Sequence, residues 1–331
     1  MNTFGRIFRI SIFGESHGKY IGVTLDGCPP GIPVTEKDFS PWLERRKAGG
    51  KGTTPRKEDD SPLIVSGCYR DHTTGAPLTI LFENKNTRSG DYSRLADKPR
   101  PGHADFTAWK RFGGFNDPRG GGHFSGRLTL ALVAAGTLAR KIIPEAAISA
   151  RLISAGGSTD ISTAVDKALE AGDSIGGIVE CRAQNLPAGL GEPFFDPVES
   201  VISHLAFAVP AIKGIEFGSG FKAGSMKGSQ HNDVFTDISG KTGTNNAGGI
   251  NGGLANGNEL VFRVAVKPPS SISKKQTTIN IRSGKMDELN IGGRHDACIA
   301  LRVPVVIEAI TAVALADLKM TADAQGFSQN L

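Results

Sequence analysis

Aromatic side chains are scarce in this sequence: 2 Trp and 3 Tyr among 331 residues, and 7% aromatic residues in all. Its basic stretches are nearly bare of rings apart from Phe112, Phe115 and Phe124, which argues against an RNA-binding module built on base stacking. Only four cysteines occur (Cys28, Cys68, Cys181 and Cys298), far apart and without a Cys-x-x-Cys pair. That excludes a disulfide framework or zinc site and points to reduced thiols in the cytosol. No apolar run is long and charge-free enough to cross a bilayer. The opening Met1-Asn2-Thr3-Phe4-Gly5-Arg6 carries no signal-peptide core, so a cytoplasmic protein is expected. The net charge of +5 suits an anionic ligand and falls short of a dedicated DNA binder. Nucleotide motifs are missing as well. Gly240-Lys241-Thr242 has Phe235 where a P-loop needs its first glycine, and Gly218-Ser219-Gly220 finds Gly224 one residue late for a dinucleotide fingerprint. No His-Glu-x-x-His and no Gly-x-Ser-x-Gly elbow is present.

Glycine, by contrast, is abundant, at 43 residues with no period of three, which rules out collagen. Apolar blocks at 128–138 and 303–315 can bury a core, so the chain is not disordered. Strands and helices intermix with no clean linker, and one interwoven α+β domain over residues 1–331 is expected. Alternation predicts strands around Phe8, Ile10 and Ile12, at 21–25, 63–66, 78–82, 177–181 and 260–266. A short helix is predicted over 39–47. A helix from a Ser125 cap to Ile143, stopped by Pro144, is apolar all round and so belongs between layers. Asp196-Pro197-Val198-Glu199 reads as a capping box. Residues 298–320 read as a helix broken or kinked at Pro304.

The loops at 48–61, 84–101, 112–124 and 236–257 are unusually long, and such loops tend to carry function. Gly14-Glu15-Ser16-His17-Gly18 puts a histidine at a strand end, either a ligand-facing group or a surface turn. Arg45, Arg46, Lys47, Lys51, Arg56 and Lys57 form a run of six cations without an acid. It is either an anion site or a solvated loop offset by Glu58-Asp59-Asp60. Arg100-Pro101-Gly102-His103-Ala104-Asp105 sets a histidine in a tight turn. Arg119-Gly120-Gly121-Gly122-His123 leads into Ser125, an arrangement suited to a phosphate or flavin, with a hinge or RNA contact as alternatives. Residues 244–253 let a planar ligand approach the backbone. Lys267-Pro268-Pro269-Ser270-Ser271 and Arg294-His295-Asp296 complete the set. The last is either an acid–base group or a surface ion cluster.

Taken in order, these segments resemble the chorismate synthase family along the whole chain. Residues 14–29, 122–136 and 294–309 are similar to its three signatures. The 100–105 turn and the 245–253 glycine loop are similar too. The resemblance implies a β–α–β sandwich, with helices layered between two antiparallel sheets, assembled as a homotetramer. It implies a lyase of aromatic amino-acid biosynthesis that removes phosphate and a ring proton, anti-1,4, from 5-enolpyruvylshikimate 3-phosphate to give chorismate. Reduced FMN is required although no net redox change occurs. NADP and an external flavin reductase, or another source of reduced flavin, come with that activity. A flavoprotein that truly transfers hydride is the rival reading, and no nicotinamide motif supports it.

Carried over by position, the resemblance implies His17 as the general acid at the phosphate, His103 at the reduced flavin, and Asp296 beside the flavin nitrogen that accepts the proton. Arg45, Arg46, Lys47 and Lys51 would grip phosphate or carboxylate, with Arg100, Arg127 and Arg294 completing an anion clamp. His123, Phe124, Ser125, Gly126, Ala211, Gly252, Lys267, Pro268, Pro269, Ser270 and Ser271 would line the FMN site together with Arg294. This chain departs from the family at several points. It has His123-Phe124-Ser125-Gly126-Arg127 where many members have Arg-Ser-Ser-Ala-Arg. Pro210 stands where Asn is common, the loop after Lys47 is shorter, and there is no room for a flavin-reductase insert.

Overall fold

The computed structural model describes residues 2–54, 58–85, 97–292 and 295–326. Strands β1 (Thr3–Phe4), β2 (Arg9–Gly14) and β3 (Tyr20–Asp26) are followed by helix α1 (Ser40–Arg46) and strand β4 (Pro62–Ser66). A small hairpin of β5 (Cys68–Tyr69) and β6 (His72–Thr73) leads to β7 (Leu78–Glu83). The larger strands form one antiparallel sheet, β1-β2-β3-β7-β4. Alternation drives it: Leu78, Ile80 and Phe82 are buried while Thr79 and Leu81 are only half-buried.

Helices α2 (Asp105–Phe112) and α3 (Thr129–Ile142) come next, then β8 (Ala147–Ala155), α4 (Ile161–Glu170), β9 (Gly177–Gln184), α5 (Val198–Ala208) and β10 (Ile212–Phe217). A short α6 (Gly228–His231), the hairpin β11 (Ile250–Asn251) and β12 (Leu254–Ala255), strand β13 (Leu260–Val266), the pair β14 (Gln276–Ile279) and β15 (Met286–Leu289), and α7 (Pro304–Ala324) complete the order. The second sheet runs β10-β13-β9-β8, also antiparallel. Helix α3 packs on β3 of the first sheet and α7 on β8 and β9 of the second, with α3 and α7 in extensive mutual contact. The expected helical layer between two antiparallel sheets is therefore present. Helix α3 is buried on every side through Ala139, as its all-round apolar sequence requires.

Close approach of the two central helices depends on one glycine. A Cβ on Gly136 would stand 2.5 Å from the Ala309 Cα. Two buried carboxylates of α7 then fasten the periphery. Asp317 accepts the backbone N–H groups of Arg6, Ile7 and Phe8 at 2.9, 2.8 and 2.9 Å. Glu308 accepts both arms of Arg45 at 2.7 Å, Arg140 at 3.2 Å and the Ala150 N–H at 2.8 Å.

Three local expectations change. Pro304 opens α7 at its first turn instead of kinking it, because that position needs no intrahelical N–H bond. Ser125 caps a 3-10 turn (Gly126–Leu128) that precedes α3. The capping box at 196–199 does not form: Pro197 stands at the cap position of α5 without a side-chain bond, and the Asp196 carboxylate pairs with Arg6.

Candidate active site

A cavity of about 1130 Å³ opens between the first sheet, the helical layer and the loops. Gly120, from the glycine run ahead of α3, is on its wall, with Gly121 and Gly122 buried beside it. Gly120, Gly121 and Gly122 all take left-handed backbone angles (φ 59, 84 and 53°). At two of them the missing side chain makes room for a histidine. A Cβ on Gly120 would lie 2.7 Å from the His17 ring, and one on Gly121 would lie 3.3 Å from His103 Cε1. The run thus seats both histidines where the sequence suggested an anion loop. His17 itself is buried behind Gly120; its neighbour Ser16, not His17, lines the cavity.

His103 lines the cavity from the turn before α2. Its Nδ1 is 2.6 Å from Asp105 Oδ1. Arg100 lies behind that pair and donates to Asp105 at 2.7 and 2.8 Å and to Ser271 Oγ at 3.2 Å. Burial pushes the Asp105 carboxyl up, but hydrogen bonds from Arg100 and His103 prevail and hold it well below the usual range. Opposite this turn, Lys267 Nζ donates to the Gly102 carbonyl at 3.0 Å and to Ser270 Oγ at 2.8 Å. Ser270 Oγ donates in turn to Gly102 at 2.8 Å. Burial, with Lys213 nearby, lowers the Lys267 pKa. Residues 267–271 thus latch the His103 turn to the end of β13.

A buried ionic bridge forms the third wall. Arg46 Nη2 donates to Asp60 Oδ2 at 2.6 Å, and Arg127 Nη1 donates to Asp60 Oδ1. Arg127 Nε also donates to Asn84 Oδ1 at 3.0 Å. Asp60 is 3% exposed and sits in left-handed backbone, φ 54°. Burial alone would raise its carboxyl, but the charges of Arg46 and Arg127 overcome that and hold it down. Among the described residues, Arg46 Nε and Arg127 Nη2 are buried without a hydrogen-bond partner, although Glu58 Oε2 stands 4.0 Å from Arg127 Nη2. A buried guanidinium with an unused donor is costly unless an acceptor arrives, and both residues line the cavity.

Asp296 faces the same space. It accepts the Thr54 N–H at 2.9 Å and pairs with Arg302 at 3.5 Å, while Arg302 donates to the Arg46 carbonyl at 3.0 Å. Lys47, His123, Phe124, Ser125, Gly126 and Ala211 are also on the wall. His123 bridges Gly14 O at 2.8 Å and Asn2 Oδ1 at 3.1 Å. Ala211 holds φ 76°, a strained angle for a residue with a Cβ, while its carbonyl accepts the Lys267 N–H at 2.9 Å.

Other sequence-derived candidates lie elsewhere. Arg45 is spent on Glu308, and Lys51 pairs with Asp166 at 2.6 Å; neither is on the cavity wall. Arg45 goes to Glu308 because a carboxylate 2% exposed needs its charge matched. Gly252 occupies the β11–β12 turn and is likewise absent from the wall. Arg294, and Arg56 and Lys57 of the basic run, fall outside the described residues. Sequence reasoning missed Asp60, Arg302, Ser16 and His204 as wall residues. Asp60 had one legible sign, its place in the acid triplet right after the cation run. The described residues hold no cluster of His, Cys, Asp or Glu able to bind a metal, and no helix among them is long and apolar enough to cross a membrane.

Comparison with known proteins decides the family. The family model described as chorismate synthase matches residues 8–320. The chain belongs to the chorismate synthase family. A chorismate synthase of Chitinophaga pinensis is 62% identical over 321 residues, covering 97% of each chain. One of Pyrococcus abyssi is 42% identical over 341 residues, covering 95% of this chain and 96% of its own. A crystal structure of chorismate synthase superposes with a TM-score of 0.74 at 25% identity, covering 96% of this chain and 93% of that one. The activity is that of this family: a carbon–oxygen lyase of the shikimate pathway in aromatic amino-acid biosynthesis. The family uses reduced flavin and acts on a small-molecule substrate.

Proposed function

We propose that the cavity holds reduced FMN together with 5-enolpyruvylshikimate 3-phosphate and eliminates phosphate to form chorismate. The observation that carries this reading is the cavity itself. At about 1130 Å³ it exceeds the roughly 300–1,000 Å³ of an ordinary single-ligand pocket. It also presents two buried arginines with unused donors. Both features fit a pair of stacked anionic ligands. Reduced FMN, when bound, supplies an electron transiently and so eases departure of phosphate.

The protein's own groups do the rest. Arg46, Arg127 and Lys47 draw phosphate and carboxylate onto the cavity wall, where bound ligands displace water and the charge acts strongly. His17 is the general acid we assign to the leaving phosphate, although its ring lies off the cavity wall behind Gly120, and His103 holds a proton at the flavin edge. Asp296 orients the group that takes the ring proton. Residues 123–126, Ala211 and 267–271 form the flavin wall. Arg100 stays behind the wall, held by Asp105 and Ser271. Reduced flavin comes from an external reductase, with NADP as its associated nicotinamide. We read residues 1–331 as one domain, because the two sheets share one helical layer, and the assembly as a homotetramer. The unpaired cysteines support a cytoplasmic setting. An anaerobic assay with reduced FMN and enolpyruvylshikimate phosphate tests the reading: chorismate forms with reduced FMN and none forms without it. No turnover by folded protein would reject it.

A further inference from the structure

His103 meets a carboxylate of its own turn. Asp105, the first residue of α2, is 2.6 Å from His103 Nδ1. Its oxygens also accept the Arg100 backbone N–H at 3.0 Å, Nε at 2.7 Å and Nη2 at 2.8 Å. An ionised carboxylate only accepts hydrogen bonds, so His103 must donate from Nδ1. Arg100 Nη2 also stands 3.2 Å from that nitrogen, but its acceptor is Asp105 Oδ1. The Nε2 side of the ring lies over Gly121, where no Cβ intervenes.

We propose that Asp105 is the positioning residue of His103: by holding Nδ1–H it fixes the tautomer that leaves Nε2 as the nitrogen exchanging protons with the cavity. The inference rests on the proposed role of His103. Among the described residues, the charged groups around the ring are few. Asp105 and Arg100 come from its own turn, and Lys267 approaches at the Gly102 carbonyl from the segment after β13. Gly121, facing it from the glycine turn, carries no charge. Asp105 is already neutralised in large part by Arg100, so its main action on His103 is orientation and choice of tautomer.

Asp105→Asn keeps the shape and reverses the chemistry. Its amide can donate to Nδ1, so the neutral ring carries its proton on Nε2 and loses its acceptor there. We expect kcat to fall about 10-fold or more while KM stays near wild type. In a His103→Ala background the same change should cost nothing more, since paired residues acting as a unit are non-additive. Nitrogen NMR of histidine-labelled protein, assigned with His103→Ala, should show neutral His103 protonated at Nδ1. That measurement needs no substrate, so a protein unable to turn over enolpyruvylshikimate phosphate would reject the proposed function and still test Asp105. Equal losses in both backgrounds, or a neutral wild-type ring protonated at Nε2, would overturn the proposal.

Discussion

Replacing Asp60 should unfasten the cavity wall, and the size of the effect follows from its surroundings. Its carboxylate bridges Arg46 and Arg127, and the side chains of all three are 6% exposed or less. Removing one partner from a buried ion pair costs about 3–5 kcal/mol, because the remaining charge stays desolvated. Asp60→Asn isolates that term, since Asn tolerates the left-handed angle of φ 54°. Asp60→Ala adds roughly 1–2 kcal/mol of backbone strain. At roughly 2.1 cal/mol/K per residue, a chain of this length has an unfolding entropy near 0.7 kcal/mol/K, so Asp60→Asn should lower Tm by about 4–7 °C. Thermal denaturation measures it, with the Ala variant lower still. The pH dependence has a definite sign. The folded-state carboxyl lies below its unfolded value, so its stabilisation is complete above the unfolded pKa of about 4 and is lost as pH falls through the folded one. The Tm gap between wild type and Asp60→Asn should be flat from about pH 5 to 8 and close in stronger acid. A Tm unchanged in Asp60→Asn at neutral pH, or a gap that widens on acidification, would refute this reasoning.

Two other substitutions separate packing from binding. Gly136→Ala should destabilise by about 1–3 kcal/mol through overpacking, because the new methyl meets the Ala309 Cα at 2.5 Å. That outweighs the roughly 1 kcal/mol by which Ala favours a helix over Gly, so a raised Tm would show that the helices separate freely. Arg45→Ala should lower stability by about 1–3 kcal/mol, leaving Glu308 short of its bidentate partner, while KM is unchanged. A raised KM with an unaltered Tm would return Arg45 to the substrate.

Much of the fold was legible because its signals are local. Period-two alternation marked β2, β3, β7 and β13, and the apolar block after Ser125 marked the central α3. What escaped rests on long-range context. Strand β8 was missed because its small and polar residues (Ala147, Ser149, Ala150, Ser154) dilute the alternation. Helix α4 was missed although Asp160 caps it through the Thr163 N–H at 3.2 Å. In the site, glycine and histidine motifs were visible, but their pairing was not. That Gly120 seats His17 and Gly121 seats His103 follows from φ angles no local pattern shows. Arg45 and Arg46 are neighbours with opposite fates. Helix α1 turns one toward Glu308 and the other toward Asp60, partners 263 and 14 residues away. The acid triplet 58–60 read most simply as a solvated counterweight, yet its last member is the buried bridge.

The central claim is redox-neutral elimination in this cavity. Its most direct measurement follows chorismate, phosphate and the flavin spectrum together, without oxygen, on one sample with reduced FMN and enolpyruvylshikimate phosphate. We expect chorismate and phosphate to appear in equal amounts, over many turnovers per enzyme, with the flavin still reduced at the end. Flavin oxidised in proportion to product, or phosphate released without chorismate, would contradict the account.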